Sequence, residues 1–183
     1  SPKNLNTLLT RRMSELASAQ QGLDTIFADM KSLYTVTTKK PAVSYFEGAD
    51  GLRKIYDDII KDGLQNYVFR SAHDIQQPDF AAVLHLHRSR RAAAGIHVKL
   101  ICPSLDHYTP AYLEGDAAHL IDRRIVSQKY LLLPAQIVIY GNKVAITELK
   151  ETFISTLIED KNIAATFLLL FQYIWSHAAA EDA

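Results

Sequence analysis

Cysteine is almost missing from this chain of 183 residues, and neither sign of charge is in excess. The single cysteine, Cys102, excludes an intramolecular disulfide, and such sparse use of cysteine is typical of proteins of the reducing cytoplasm. We therefore expect a cytoplasmic location and a buried structural thiol. Twenty Lys and Arg side chains balance twenty Asp and Glu side chains. This balance argues against nucleic-acid binding through bulk positive charge.

Long hydrophobic runs are also missing. The longest strongly apolar stretch, residues 163–175, is interrupted by Gln172 and is shorter than the roughly 20 apolar residues that a membrane span needs. The first residues have no apolar core of the kind found in signal peptides. We predict neither a membrane span nor a secretory signal. Because the chain begins at Ser1 rather than Met, we expect a fragment that lacks its natural N-terminal part.

The common catalytic and metal-binding motifs do not occur: there is no Walker loop, GxGxxG, GxSxG or HExxH. His85 and His87 lie two positions apart on a predicted helix and point about 200° apart, so they cannot share an ion. We expect two surface histidines, no metal and no cofactor. Arg88, Arg90 and Arg91 follow near the end of this helix, where positive charge complements the helix dipole. An anion or nucleic-acid patch is the alternative.

Residues 3–35 have the pattern of one long helix with a heptad seam. Positions alternately four and three apart are apolar in seven cases of eight, and Gln20 is the polar exception. This spacing is typical of a coiled coil. We predict a dimerisation and linker helix over 1–38 and a homodimer; a core helix of the same domain is the alternative. The residues expected in the dimer seam are Leu9, Met13, Leu16, Leu23, Phe27 and Met30.

From residue 41 onward, strand-like and helical patterns alternate. Strands are predicted at 42–46, 66–72, 96–102, 129–133, 136–140, 143–147 and 153–158, and helices at 50–61, 78–94 and 161–177, with partly helical structure at 110–127. Gly63 is expected to cap the end of the helix at 50–61, whose predicted apolar face consists of Leu52, Ile55, Tyr56, Ile59 and Ile60. Gly141-Asn142 predicts a tight hairpin, and Asp160 is expected to cap the last helix, which is apolar on most sides and predicted to be buried. Strands separated by helices indicate an α/β fold with a mainly parallel mixed sheet flanked by helices.

His97 and Lys99 form a pair that resembles part of a catalytic motif. Phosphodiesterases of the phospholipase D type use HxKxxxxD, in which the histidine attacks phosphorus and the lysine neutralises the oxyanion. The aspartate of this motif would fall at position 104, which is Ser104. Apolar residues alternate with His97 and Lys99, as in a half-buried strand. A divergent phosphodiesterase that uses this pair remains an alternative function.

The start of the α/β region has a more specific pattern. It reads P-A-V-S-Y-F-E-G over residues 41–48 and then G-L-R-K-I-Y-D-D-I-I over 51–60. Segments at 94–103, 137–146 and 163–175 follow in the same order. Together these segments resemble the effector region of TrmB-type transcriptional regulators, over about residues 1–177.

This resemblance implies a phospholipase D-like fold and a sensing function. The hairpin 136–147 would take the place of the catalytic strand, so that the catalytic His and Lys would fall at Pro134 and Gln136, and activity would be lost. Residues 41–178 would form an effector domain for a small molecule, in the family often a sugar. DNA would be bound only through an N-terminal winged helix that this sequence does not contain. A dimerisation module without a ligand is a further alternative.

The ends of three predicted strands form the expected effector site. In open α/β sheets, ligands bind outside the carboxyl ends of the parallel strands. A glycine there lets a backbone amide approach a ligand, and an arginine offers a planar fork of donors for carboxylate or phosphate. The residues expected in this site are Glu47, Gly48, Arg70, Ser71, His73 and Ser104. In the structural alternative, Glu47 caps the following helix and Arg70 pairs with Glu47.

Overall fold

The chain divides into two units, Ser1–Lys40 and Pro41–Ala183. The computed structural model describes residues 11–13, 15, 20, 41–71, 78–104, 115–149 and 153–178. In the first unit the described positions are helical, and Arg11 and Arg12 both form ion pairs with Glu15. Met13 is described and exposed. The other predicted seam residues lie outside the described residues, so dimerisation stays a prediction: Leu9, Leu16, Leu23, Phe27 and Met30.

One seven-stranded mixed sheet forms the centre of the second unit. Its strands are β1 (Ala42–Glu47), β2 (Asn66–Phe69), β3 (Val98–Pro103), β4 (Ile121–Val126), β5 (Ala135–Tyr140), β6 (Lys143–Glu148) and β7 (Ile154–Glu159). Their order across the sheet is β1-β7-β6-β5-β2-β3-β4. β2, β3 and β4 are mutually parallel, whereas every other neighbouring pair is antiparallel.

The prediction of a mainly parallel sheet is therefore wrong. A parallel pair needs a crossover of a dozen or more residues, and the connections in the second half of the chain are too short for one. β5 and β6 are joined by the predicted two-residue turn, in which Gly141 has a φ of 50°. Only five residues, 149–153, connect β6 to β7. Both connections give antiparallel neighbours.

The region between β3 and β5 also differs from the prediction. The strand expected at 129–133 is not formed, and β4 lies at Ile121–Val126, where the sequence pattern indicates partly helical structure. Among the described residues between β3 and β4, the helical structure is the short 3-10 helix Ala117–His119. Two consecutive arginines, Arg123 and Arg124, interrupt the apolar alternation by which such a strand would be recognised.

In the described part of the chain, three α-helices cover the sheet: α1 (Gly48–Asp62), α2 (Pro78–Ala93) and α3 (Lys161–His177). α1 and α2 pack on one face of the sheet, and α3 packs on the other. Alternate residues of a strand point to opposite faces, so one strand can contribute to both cores. Val138 of β5 joins the core under α1 and α2, and its neighbour Ile139 joins the core under α3. This arrangement confirms the predicted α/β fold with flanking helices.

Several local signals mark the ends of these helices as predicted. The Asp160 side chain accepts hydrogen bonds from the amides of Asn162 and Ile163 and caps α3. Gly63 follows α1 with a φ of 73°, in the left-handed region that favours glycine. These positions were identifiable from the sequence because capping depends on one or two residues and little on the rest of the fold.

The prediction that α3 is buried on most sides is wrong. Ala164 and Phe171 are its buried residues, whereas Leu169, Leu170 and Tyr173 are exposed. In the described part of the chain, no second helix packs beside α3 on its face of the sheet, so only one stripe of the helix is covered. No helix among the described residues has the length and apolar character to cross a membrane.

Candidate functional site

The described residues of the predicted site lie at the carboxyl ends of β1, β2 and β3 but not at one place. β1 ends at Glu47 and β2 ends next to Arg70, and β7, β6 and β5 lie between these two strands. Neighbouring strands are about 4.8 Å apart, so four spacings put β1 about 19 Å from β2. The expected pairing of Glu47 with Arg70 is therefore not formed. The three intervening strands therefore separate Glu47 and Gly48 from Arg70 and Ser71.

Glu47 and Gly48 belong to the start of α1. Glu47 occupies the N-cap position, but its side chain makes no capping hydrogen bond. Gly48 has a φ of 67°, and its amide donates to the carbonyl oxygen of Phe153 at 2.8 Å. Because this amide is already engaged within the fold, it is not the open donor that the sequence analysis expects for a ligand.

Arg70 is part of a buried polar network beneath α1 and α2. Its Nη1 donates to Oε1 of Gln136 at 2.7 Å, and Nε2 of Gln136 donates to the hydroxyl of Tyr56 at 3.4 Å. All three side chains are buried. The guanidinium has donors only, so it determines which end of the Gln136 amide faces Arg70. Ser71 is also buried, and its hydroxyl donates to the carbonyl oxygen of Pro134 at 3.4 Å.

Pro134 and Gln136 are the positions at which the resemblance implies the catalytic His and Lys of phospholipase D enzymes. Neither a proline ring nor a side-chain amide can attack phosphorus or exchange a proton near neutral pH. Gln136 is only 1% exposed, and both ends of its amide are hydrogen-bonded. This position therefore offers neither a nucleophile nor a general acid.

His97 and Lys99 lie at the amino-terminal end of β3, opposite the carboxyl ends of the parallel strands. His97 is exposed just before β3, and Nζ of Lys99 lies 5.2 Å from the ring centre of Trp175. β3 continues through Pro103, so Ser104 is five residues from Lys99, or about 17 Å along an extended strand. Ser104 therefore cannot act together with this pair.

The basic run of α2 is engaged in contacts within the fold. Nη2 of Arg88 lies 3.6 Å from Oδ1 of Asp116, and Nη1 of Arg90 lies 2.6 Å from Oδ1 of Asp57. Arg91 is buried and donates to the carbonyl oxygens of Ile96 and His119. These contacts favour a structural role over an open anion or nucleic-acid patch.

The prediction that His87 is a surface histidine is wrong. It lies on the buried face of α2, and its ring stacks on Tyr56 with the ring centres 4.0 Å apart. His85 is exposed, so the two histidines point in different directions, as the helical spacing requires. Among the described residues, no three His, Cys, Asp or Glu side chains are placed to hold a metal ion.

A crevice of about 580 Å³ lies at the carboxyl ends of β3 and β4, next to the last turns of α3. Of the predicted site residues that are described, Ser104 alone lines it; His73 lies outside the described residues. The polar residues that line the crevice are Ser104, Ser127, Tyr130, Tyr173 and His177. Its volume is within the range of small-molecule sites, and its position is the one at which open α/β sheets bind ligands.

Two exposed tyrosines give the crevice its chemical character. Tyr130 is 71% and Tyr173 is 64% exposed, and the ring of Tyr173 lies 4.2 Å from that of His177. Ser104 and Ser127 accept hydrogen bonds from backbone amides through their hydroxyl oxygens, so each hydroxyl can still donate to a ligand. Neither tyrosine was among the predicted site residues, because the sequence pattern places Tyr130 in a strand and Tyr173 in a buried helix.

Neither a protein-family model nor a curated protein sequence matches the chain. Among solved structures it is similar to NucT from Helicobacter pylori, with 11% identity and a TM-score of 0.53 over 75% of this chain and 97% of NucT. It is also similar to polyphosphate kinase from Porphyromonas gingivalis, with 9% identity and a TM-score of 0.52 over 73% of this chain and 24% of the kinase. Both have phospholipase D-like folds.

The chain has a phospholipase D-like fold. At these identities the similarity shows the fold alone, and it confirms the fold that the sequence resemblance implies. A third structure, TrmBL2, is described as an archaeal chromatin protein with a novel mode of DNA binding. It is 12% identical with a TM-score of 0.49, over 94% of this chain. The chain spans 66% of TrmBL2, just under two thirds of its length.

Proposed function

We propose that this chain is the effector-sensing and dimerisation region of a TrmB-like transcriptional regulator and that its phospholipase D-like domain catalyses no reaction. The observation that carries the proposal is Gln136. A buried amide, held by Arg70 and Tyr56, occupies the position at which the resemblance implies a catalytic lysine. A fold can persist while its catalytic groups are replaced, and binding is then the function that remains.

The crevice at the ends of β3 and β4 supports a ligand-binding role. The hydroxyls of Ser104 and Ser127 can exchange hydrogen bonds with the hydroxyls of a ligand, and tyrosine rings combine an apolar face with a polar tip. Such a lining suits a small polyhydroxylated molecule, which agrees with the sugar that the resemblance implies. The ligand would contact Tyr130 after β4 and Tyr173 on α3.

The position of the crevice suggests how a ligand could change the domain. Arg124 of β4 donates to the carbonyl oxygens of Trp175 and Ala178 and so ties the end of α3 to the sheet. A ligand that contacts both β4 and α3 would favour the relative position of these two elements that it binds most tightly. We propose that this shift reaches DNA through a winged helix outside this sequence and through a dimer formed by residues 3–35. Sedimentation measures the dimer directly.

We expect a saccharide at millimolar concentration to stabilise the chain by binding in this crevice. At 100 times its dissociation constant a ligand adds about 2.7 kcal/mol to the free energy of unfolding, or about 5–10 °C in the midpoint for a domain of this size. Thermal unfolding with glucose, maltose, sucrose and trehalose measures the shift. Tyr130→Ala removes it, whereas Tyr45→Ala, at an exposed tyrosine of β1 outside the crevice, keeps it.

The proposal of a sugar effector is contradicted if none of the four saccharides moves the midpoint. A shift that is the same in wild type, Tyr130→Ala and Tyr173→Ala contradicts the crevice as the site. General stabilisation by excluded sugars occurs at far higher concentrations and would be equal in all variants.

A further inference from the structure

A second and smaller cavity, of about 30 Å³, lies between α1, α2 and the sheet. It is separate from the crevice, and no residue lines both. The polar side chains around it come from α1, α2, β2, β5 and the residue that follows β2. They include Tyr56, Asn66, Arg70, His87, Arg91 and Gln136.

Two buried polar atoms beside this cavity have no hydrogen-bond partner among the described residues. They are Oδ1 of Asn66 and Nδ1 of His87. Asn66 is 1% and His87 is 8% exposed, so bulk water does not satisfy either atom. Buried polar atoms in native proteins almost always have a partner, so an orphaned pair beside a cavity calls for a bound water, ion or small molecule.

The charges around the cavity favour an anion. The described residues that line it include three arginines and no carboxylate. Arg88 is paired with Asp116, whereas the hydrogen bonds of Arg91 go to neutral carbonyl oxygens, which leave its charge uncancelled. Burial and the nearby charges of Arg91, Arg70 and Arg90 lower the pKa of His87 to about 3. His87 is therefore neutral at physiological pH and adds no charge of its own.

We propose that this cavity binds a planar, singly charged oxyanion of three or four non-hydrogen atoms that carries its own O–H group, the chemical class of hydrogen carbonate. The cavity volume is about two to three times the 10–15 Å³ that one water molecule needs, which sets the size. Planar oxyanions match the geometry of guanidinium donors. The anion oxygens accept from the lining arginines and from Nδ1–H of His87. The O–H group donates to Oδ1 of Asn66.

Nitrate is a matched probe for this proposal, because it is planar and has the same number of non-hydrogen atoms as hydrogen carbonate but no O–H group. The test is thermal unfolding of the full chain in sodium hydrogen carbonate, sodium nitrate and sodium chloride at equal ionic strength and mildly alkaline pH, with the following expected results. At ten times its dissociation constant, hydrogen carbonate raises the midpoint by about 3–6 °C. Nitrate gives a smaller rise and chloride gives none.

Two variants separate this site from other causes of stabilisation. Asn66→Leu removes the acceptor, so hydrogen carbonate and nitrate then give equal shifts. Tyr130→Ala, in the crevice, leaves the difference between the two anions unchanged, so failure of the sugar proposal and failure of this one are distinguishable. Carbon-13 NMR of labelled hydrogen carbonate with the wild-type chain gives a bound signal even if Asn66→Leu does not fold. Equal midpoints in all three salts and no bound signal would show that the cavity holds water only.

Discussion

We expect replacement of Gln136 with leucine to lower the free energy of unfolding by about 2–3 kcal/mol, because the buried guanidinium of Arg70 then loses its hydrogen bond to Gln136. Leucine is no smaller than glutamine, so the loss does not come from a cavity. In the wild type, Oε1 of Gln136 lies 2.7 Å from Nη1 of Arg70, and Nε2 donates to Tyr56. Denaturant unfolding measures the change.

Gln136→Glu is the matched control for this prediction. Glutamate keeps an acceptor beside Arg70, and the hydroxyl of Tyr56 can reverse its role and donate to the new carboxylate. We expect its free energy of unfolding to lie within about 1 kcal/mol of the wild-type value at neutral pH. If leucine and glutamate are equally well tolerated, the hydrogen bonds to Arg70 and Tyr56 do not hold Gln136 in place, and the proposal loses its structural support.

We expect acid to destabilise the wild-type chain through His87. Its pKa is about 3 in the folded state and 6.5 in the unfolded state, so below pH 6.5 the unfolded chain binds more protons. The contribution of neutral His87 is therefore complete above pH 6.5 and is lost as the pH falls towards 3. Between pH 6.5 and about pH 4.5 the loss amounts to about 2–3 kcal/mol.

His87→Phe tests this pH dependence, because phenylalanine preserves the stacking on Tyr56 and does not titrate. Carboxylates titrate over the same pH range, so the quantity to compare is the slope of the free energy of unfolding against pH. We expect a shallower slope for His87→Phe and the wild-type slope for His85→Gln, at an exposed position of the same helix. Equal slopes in all three chains would show that His87 is not held neutral in the folded state.

Local structure was the part of the fold that the sequence predicted well. The N-cap at Asp160, the C-cap at Gly63 and the Gly141-Asn142 turn each depend on a few neighbouring residues, and the structure confirms all three. The apolar stripe of α1 is equally local, and Leu52, Ile55, Tyr56 and Ile59 are buried as the spacing indicates.

Sheet order and partner choice depend on distant residues, and the sequence patterns did not determine them. β1 pairs with β7, from the far end of the chain, so the carboxyl ends of β1 and β2 are not neighbours. The described residues of the predicted site therefore lie at three places: Glu47 and Gly48 at the end of β1, Arg70 and Ser71 after β2, and Ser104 in the crevice. The exposure of Tyr173 follows from the number of helices on one face of the sheet, which the apolar pattern of α3 does not reveal.

The most direct test of a non-catalytic domain is hydrolysis of a chromogenic phosphodiester, bis(para-nitrophenyl) phosphate, by the purified chain. We expect a rate equal to that of the buffer blank, and equal rates for wild type, Gln136→Leu and His97→Ala, because a buried amide occupies the position at which the resemblance implies a catalytic lysine. Turnover above the blank that His97→Ala abolishes, and that Gln136→Leu leaves unchanged, would contradict the sensing function and identify a phosphodiesterase that uses His97 and Lys99.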